Sequence, residues 1–335
     1  MEHKEEIGIL EYDDDDFLEA KRKDAILVMS FGTTIATARK CSIEAIVSDI
    51  KQRFPDKPVW SAFSSRYVIK KIKEQTGETY LSVEEALTKL KEQGFTRIAM
   101  VPVDLFPGRE YEYKEDCYYL QRQQFKRVVF GTPLMYWTGQ LGAPDDVREV
   151  FEAFRPGIPE LEKGQAVILV GHGTTHWSND YFLILQERIE ASGIDNIFVC
   201  TIEGTPTVED MIPRLRKKEY NSAKMTPTSI GGGDLMERTS GEHISRFVEM
   251  PTDEETCLRK FLELRHYNKV LLMPFMLSAG GHVLKDINGS QPESCRSLLE
   301  TAGFEVETYL HGLGESPDMR QLFVKRAEAV VNLLE

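Results

Sequence analysis

The chain has 335 residues, of which 41% are hydrophobic and 28% charged, and a formal net charge of −13. That length suits two domains of ordinary size better than one core, and the composition is that of a globular protein. The negative balance excludes a nucleic-acid binder built on a basic face, but leaves room for a local basic patch that holds an anionic small molecule.

Residues 1–24, "MEHKEEIGILEYDDDDFLEAKRKD", read as an acidic, flexible leader in which the run 13–16 is solvated. They lack the apolar segment of a signal peptide. No stretch of the chain reaches the length of a membrane span. The cysteines at 41, 117, 200, 257 and 295 are odd in number and form no CxxC pair. They read as reduced thiols rather than a disulfide framework, so a cytoplasmic protein is expected.

From residue 25 the sequence uses one grammar twice. "AILVMSFGTT" (25–34) returns as "AVILVGHGTT" (166–175). "VWSAFSSRYVIKKIK" (59–73) has its counterpart in "FVCTIEGTPTVEDMI" (198–212), and "RIAMVPVDLFPGREYEY" (97–113) in "KVLLMPFMLSAGGHVLK" (269–285). Each is an apolar strand that runs into a polar turn. Helical patterns lie between them. In "SVEEALTKLKEQG" (82–94), Ser82 is a cap with Glu85 three residues on, and Gly94 is a stop. "NDYFLILQERIEASG" (179–193) ends the same way.

Strands alternating with helices predict an α/β protein of two similar domains, 25–155 and 165–315, each a parallel sheet flanked by helices. "FRPGIPELEKG" (154–164) is the expected linker, and 316–335 a helix that packs back across the domain pair. The second half carries an insertion of about thirty residues between its second and third landmarks, long for a compact domain. It falls within 217–256, a polar stretch that contains three consecutive glycines and fits either a surface excursion or a lid over the cleft.

The halves differ where chemistry is expected. Ligands of open parallel sheets bind beyond the carboxyl ends of the strands. There the second half places His172, Glu203 and His282, where a gapless match puts Phe31, Phe63 and Glu110 in the first half. Two imidazoles and a carboxylate suit divalent cobalt, iron, nickel or zinc and leave positions open for water or substrate. Glycines flank His172, and Gly280-Gly281 precede His282, which suits turns that aim a side chain into a cleft.

Rival readings of "GHGTTH" fail. A dinucleotide fingerprint needs a third glycine where His176 stands. A zinc helix of the zincin kind needs a glutamate that is missing and would contain the helix-weakening Gly173. There is no GxSxG elbow and no Walker sequence.

At "VMSFGTT", "VGHGTTH", "TIEGTPTVEDMI", "MPFMLSAGGHVLKDI" and "HGLGESPDMRQLFV" the chain resembles the CbiK-type anaerobic cobaltochelatases. These class II chelatases insert Co2+ into sirohydrochlorin on the route to cobalamin. The resemblance spans nearly everything after residue 24 except the insertion, and implies two similar α/β domains around an active-site cleft. It implies that His172, Glu203 and His282 hold the metal; because handing over the metal frees lone pairs, His172, Glu203 and Glu110 are the groups expected to take the substrate's protons. Co2+ is then a substrate, Fe2+, Ni2+ or Zn2+ can occupy the same place, and no organic cofactor is expected.

The family's Gly-Asp-Glu-Tyr-Glu stretch stands here as Gly108-Arg109-Glu110-Tyr111-Glu112, and its Ala-Gly-Asp-His as Ala279-Gly280-Gly281-His282. Phe31, Thr33, Arg109, Tyr111 and Lys285 are the expected contacts to a polycarboxylate macrocycle, with Arg66 a further candidate cation. The expected partner is a tetrapyrrole, with neither nucleic acid nor membrane; a homo-oligomer stays open. An Fe2+ or Ni2+ chelatase of the siroheme or a related path, and a carrier that binds without inserting metal, are the alternatives.

Overall fold

The computed structural model describes residues 8–15, 17, 21–216 and 267–335; the 217–256 insertion lies outside them. The first sheet contains β1 (Leu10–Asp13), β2 (Asp24–Ser30), β3 (Val59–Phe63), β4 (Arg97–Pro102) and β5 (Arg127–Phe130), in the order β1-β5-β4-β2-β3. The second contains β6 (Gln165–Gly171), β7 (Ile197–Thr201), β8 (Lys269–Pro274) and β9 (Glu305–Thr308), in the order β7-β6-β8-β9. Setting β1 aside, the two orders are the same and all pairings are parallel. The sequence repeat is therefore a repeat of topology.

Strand alternation explains how the halves join. Ile26 and Val28 of β2 and Val167 and Leu169 of β6 point into one continuous core shared by both sheets. Their neighbours Ala25, Leu27 and Met29 face a second core, and Ala166, Ile168 and Val170 a third. Side chains that alternate at period two along a strand buried on both faces give this division, and both strands read as unbroken apolar runs for the same reason. The C-terminal helix Pro317–Leu334 closes the shared core. Capped by the Ser316 hydroxyl, it buries Met319, Phe323, Ala327, Val330 and Leu334 and packs against β4, β5 and α2 (Ile43–Arg53) of the first half. No described helix is long and apolar enough to cross a membrane.

Helix α4 (Val83–Glu92) has the expected reciprocal cap: Ser82 Oγ accepts from Glu85 N–H, and Glu85 accepts from Ser82 N–H. The acidic leader departs from expectation, because Leu10–Asp13 is an antiparallel edge strand on β5. Leu10 and Tyr12 pack on the first sheet's core, while Glu11 and Asp13 both pair with Arg127, at 2.6 and 2.8 Å. The acids that read as solvent-facing thus have a cation waiting on the neighbouring strand. Charges on the outer edge also discourage further strand pairing.

Candidate metal centre

The site is built from three loops at the carboxyl end of the second sheet. β6 is buried along its whole length and delivers His172 directly at its end. Gly171 is required there because a Cβ would stand 2.0 Å from the Phe182 ring. Gly173 adopts φ +77°, and a Cβ on it would lie 2.5 Å from Gly204 N, so the turn after β7 can fold tightly onto the turn after β6. Backbone bonds fix that approach: Glu203 N–H donates to the His172 carbonyl at 2.7 Å, and Ile202 N–H to the Gly171 carbonyl at 3.1 Å. The result is a separation of 4.0 Å between His172 Nδ1 and Glu203 Oε2.

His282 arrives differently. It lies beyond the loop 275–281 and opens a single helical turn, Val283–Ile287. Its ring meets that of His172 edge to face, centroids 4.5 Å apart and planes at 87°. Each of the three residues offers one ligand atom, and these atoms all lie within 4.8 Å of one another. Metal–ligand bonds of about 2.0–2.2 Å put donors that share one ion within roughly 4.4 Å of each other. All three side chains are about half exposed, so small rotations close the difference.

The remaining expected residues divide. Glu110 is exposed in the first turn of α5 (Arg109–Gln121) and accepts a hydrogen bond from buried Ser64 at 2.9 Å, which ties it to the end of β3. Arg109 is exposed beside it, Phe31 is exposed at the end of β2, and Lys285 is exposed next to the His282 turn. Tyr111 is a correction. It is 4% exposed, packs on Phe130 and donates its hydroxyl to the Gly131 carbonyl, because its place on α5 turns it into the first sheet's core. Thr33 is also buried. Its Oγ1 accepts from Ile35 N–H and stands 3.0 Å from where a Gly280 Cβ would be, so it seats the His282 loop against the first half of the chain and does not line open space. Arg66 is occupied by Glu84 at 2.9 Å. Among the described residues, Gly281 has no neighbour within 4 Å of an added Cβ, so crowding by them does not demand glycine there.

Two residues support the site in ways their local sequence does not announce. Asn179, 8% exposed, accepts from Thr174 N–H through Oδ1 at 3.2 Å and donates through Nδ2 to the Thr205 carbonyl at 2.6 Å. One amide thereby clamps the His172 loop to the Glu203 loop. His176, rejected above as a zinc ligand, links the two halves of the chain instead: Nε2 lies 3.1 Å from Glu112 of α5, and Nδ1 accepts from Ser178 N–H. A side-chain amide at the start of a helix is the only sequence signal for Asn179, and it looks like an ordinary cap.

Known proteins similar to this chain are chelatases. The chain is 26% identical to the sirohydrochlorin cobaltochelatase of Salmonella typhimurium, over 93% of this chain and 97% of that protein. It is 23% identical to sirohydrochlorin cobaltochelatase CbiKC of Nitratidesulfovibrio vulgaris, over 93% and 92% of the two chains. Among solved structures, SirB from Bacillus subtilis with Fe3+ superposes with a TM-score of 0.53 at 14% identity, covering 92% of this chain and 95% of that one. The sirohydrochlorin chelatase SirB from the same species in complex with cobalt gives 0.51 at 14% identity, covering 92% and 96%. These two likenesses establish the chelatase fold. The family model described as cobalt chelatase (CbiK) matches residues 24–262 and 245–332, and with that match the chain belongs to the CbiK cobalt chelatase family.

Proposed function

We propose that this protein inserts Co2+ into sirohydrochlorin, a step of anaerobic cobalamin synthesis, with His172, Glu203 and His282 presenting the metal. The observation that carries the reading is the convergence of those three ligand atoms within 4.8 Å at the end of one sheet. The names of the family and of the full-length relatives support the substrate and the reaction.

Insertion removes two pyrrole N–H protons and transfers the ion from protein donors to the macrocycle. A three-donor site serves this because it binds the ion while leaving positions open to the incoming nitrogens. His172 and Glu203, fixed close together, are the groups beside the reacting nitrogens. As the ion departs, their lone pairs become free to accept the released protons. Glu110, on the other domain and held by Ser64, is the candidate acceptor on the opposite side. Exposed Phe31 offers an apolar contact, and Arg109 and Lys285 supply cations for the substrate's carboxylates.

The donor set also accepts Fe2+, Ni2+ and Zn2+, so selection among metals rests on substrate geometry and supply as much as on affinity. The reduced-thiol composition fits a cytoplasmic enzyme. The test is anaerobic mixing of the protein with sirohydrochlorin and Co2+, read by absorbance, with Fe2+ and Ni2+ as competitors. Conversion faster than in protein-free solution is expected, with His282→Ala folded but suppressed. Conversion no faster than the control rejects the enzyme, and stoichiometric binding without turnover selects a carrier.

A further inference from the structure

His282 is the ligand least held by the sheet. His172 follows a strand directly, and Glu203 is tied to it through the backbone, whereas His282 sits at the end of a loop with half of its side chain exposed. A half-exposed imidazole can flip its ring and exchange tautomers, and either motion removes the lone pair from the place a metal needs it. Its hydrogen bond decides the matter. His282 Nδ1 lies 2.7 Å from Asp286 Oδ2, four residues on, and Val283–Ile287 between them has π-type hydrogen bonding, with Asn288 N–H donating to the Val283 carbonyl. A carboxylate accepts only, so Nδ1 carries the proton and Nε2 is left as the donor. His172 is committed in the same sense, through Nδ1 to the Gly173 carbonyl at 2.9 Å.

We propose that Asp286 is a positioning residue for metal presentation: it holds His282 in the Nδ1–H tautomer with Nε2 toward the shared ion, and its negative charge strengthens the imidazole as a donor. A carboxylate behind a ligating histidine is a recurrent source of metal affinity, and losing one typically costs about 10–100-fold. The two imidazoles are unequal as a consequence. His282 is backed by a charged acceptor and His172 by a peptide carbonyl, so His282 grips the ion more tightly. The inference rests on the metal-handling role proposed above.

Anaerobic Co2+ titration of the parent protein, Asp286→Ala and Asp286→Asn, followed through the visible absorption of bound cobalt, tests it. Asp286→Ala should bind Co2+ about 10–100-fold more weakly, with a changed cobalt spectrum and an unchanged melting temperature of the metal-free protein. Asp286→Asn keeps an oxygen acceptor without the charge and should fall between the two. In turnover, the KM for Co2+ should rise while that for sirohydrochlorin stays. A parent cobalt spectrum that persists unaltered, with equal affinity, in Asp286→Ala overturns the inference alone. No cobalt signal in the parent protein overturns the chelatase reading and this inference with it.

Discussion

Replacing Gly173 by alanine tests whether the site depends on the close approach of two turns. The residue adopts φ +77°, and the new Cβ would stand 2.5 Å from Gly204 N and 2.7 Å from Thr201 Cβ. An L-residue in the left-handed region costs about 1–2 kcal/mol. The nearest clash is with backbone, which cannot rotate aside, and overpacking of that kind adds roughly 1–3 kcal/mol. Relief requires the Glu203–Gly204 turn to move away, which stretches the 2.7 Å bond from Glu203 N–H to the His172 carbonyl and carries the Glu203 carboxylate, 4.0 Å from His172 Nδ1, away from that ring. Gly173→Ala should therefore lower both stability, about 2–5 kcal/mol by these terms, and Co2+ affinity. Chemical denaturation and cobalt titration measure the two. Gly281→Ala is the matched control, because a Cβ there meets nothing within 4 Å among the described residues. If Gly173→Ala matches the control in both assays, the proposed dependence of ligand spacing on this turn is wrong.

Removing the clamp with Asn179→Ala leaves Thr174 N–H and the Thr205 carbonyl without their partner, at a cost of about 1–3 kcal/mol, and should also weaken Co2+ binding; an unchanged denaturation midpoint would count against it. Lys114→Met strands Asp104, whose carboxyl burial pushes up and whose oxygens lie 2.6 and 2.7 Å from a fully buried Lys114 ammonium. Breaking such a buried pair costs about 3–5 kcal/mol, and adding Asp104→Asn should recover part of it in the same denaturation assay. Burial raises the thiols of Cys200, of Cys295 to about 12 and of Cys117 to about 11, whereas Cys41 is exposed. Alkylation of the native protein, mapped by peptide mass, should label Cys41 well before those three, and labelling of Cys200 at the same rate would contradict the packing.

The features legible in the amino-acid sequence are those encoded locally. Unbroken apolar runs such as "AVILV" mark two-faced strands, the Ser82–Glu85 pattern marks a capped helix, and glycines at strand ends mark turns. The asymmetry of His172, Glu203 and His282 against Phe31, Phe63 and Glu110 is also visible, because repeated sequence supplies its own frame of comparison. Side-chain partners are not. Tyr111 looks like a cleft residue beside Glu110 until the rotation of α5 sends it into the core, and Arg66 looks available until Glu84 comes within 2.9 Å of it.

Sequence by itself therefore determined the repeated α/β plan and the three candidate ligands, since periodicity and residue type act over a few positions. Tertiary structure decided which groups support them. Asn179 bridges two loops, Asp286 turns one imidazole, and Arg127 makes a strand of an acidic leader. Those outcomes depend on hydrogen-bond lengths and angles between segments remote in the chain or on one particular helical turn. Such geometry exists only after the two cores have packed and fixed where each backbone lies.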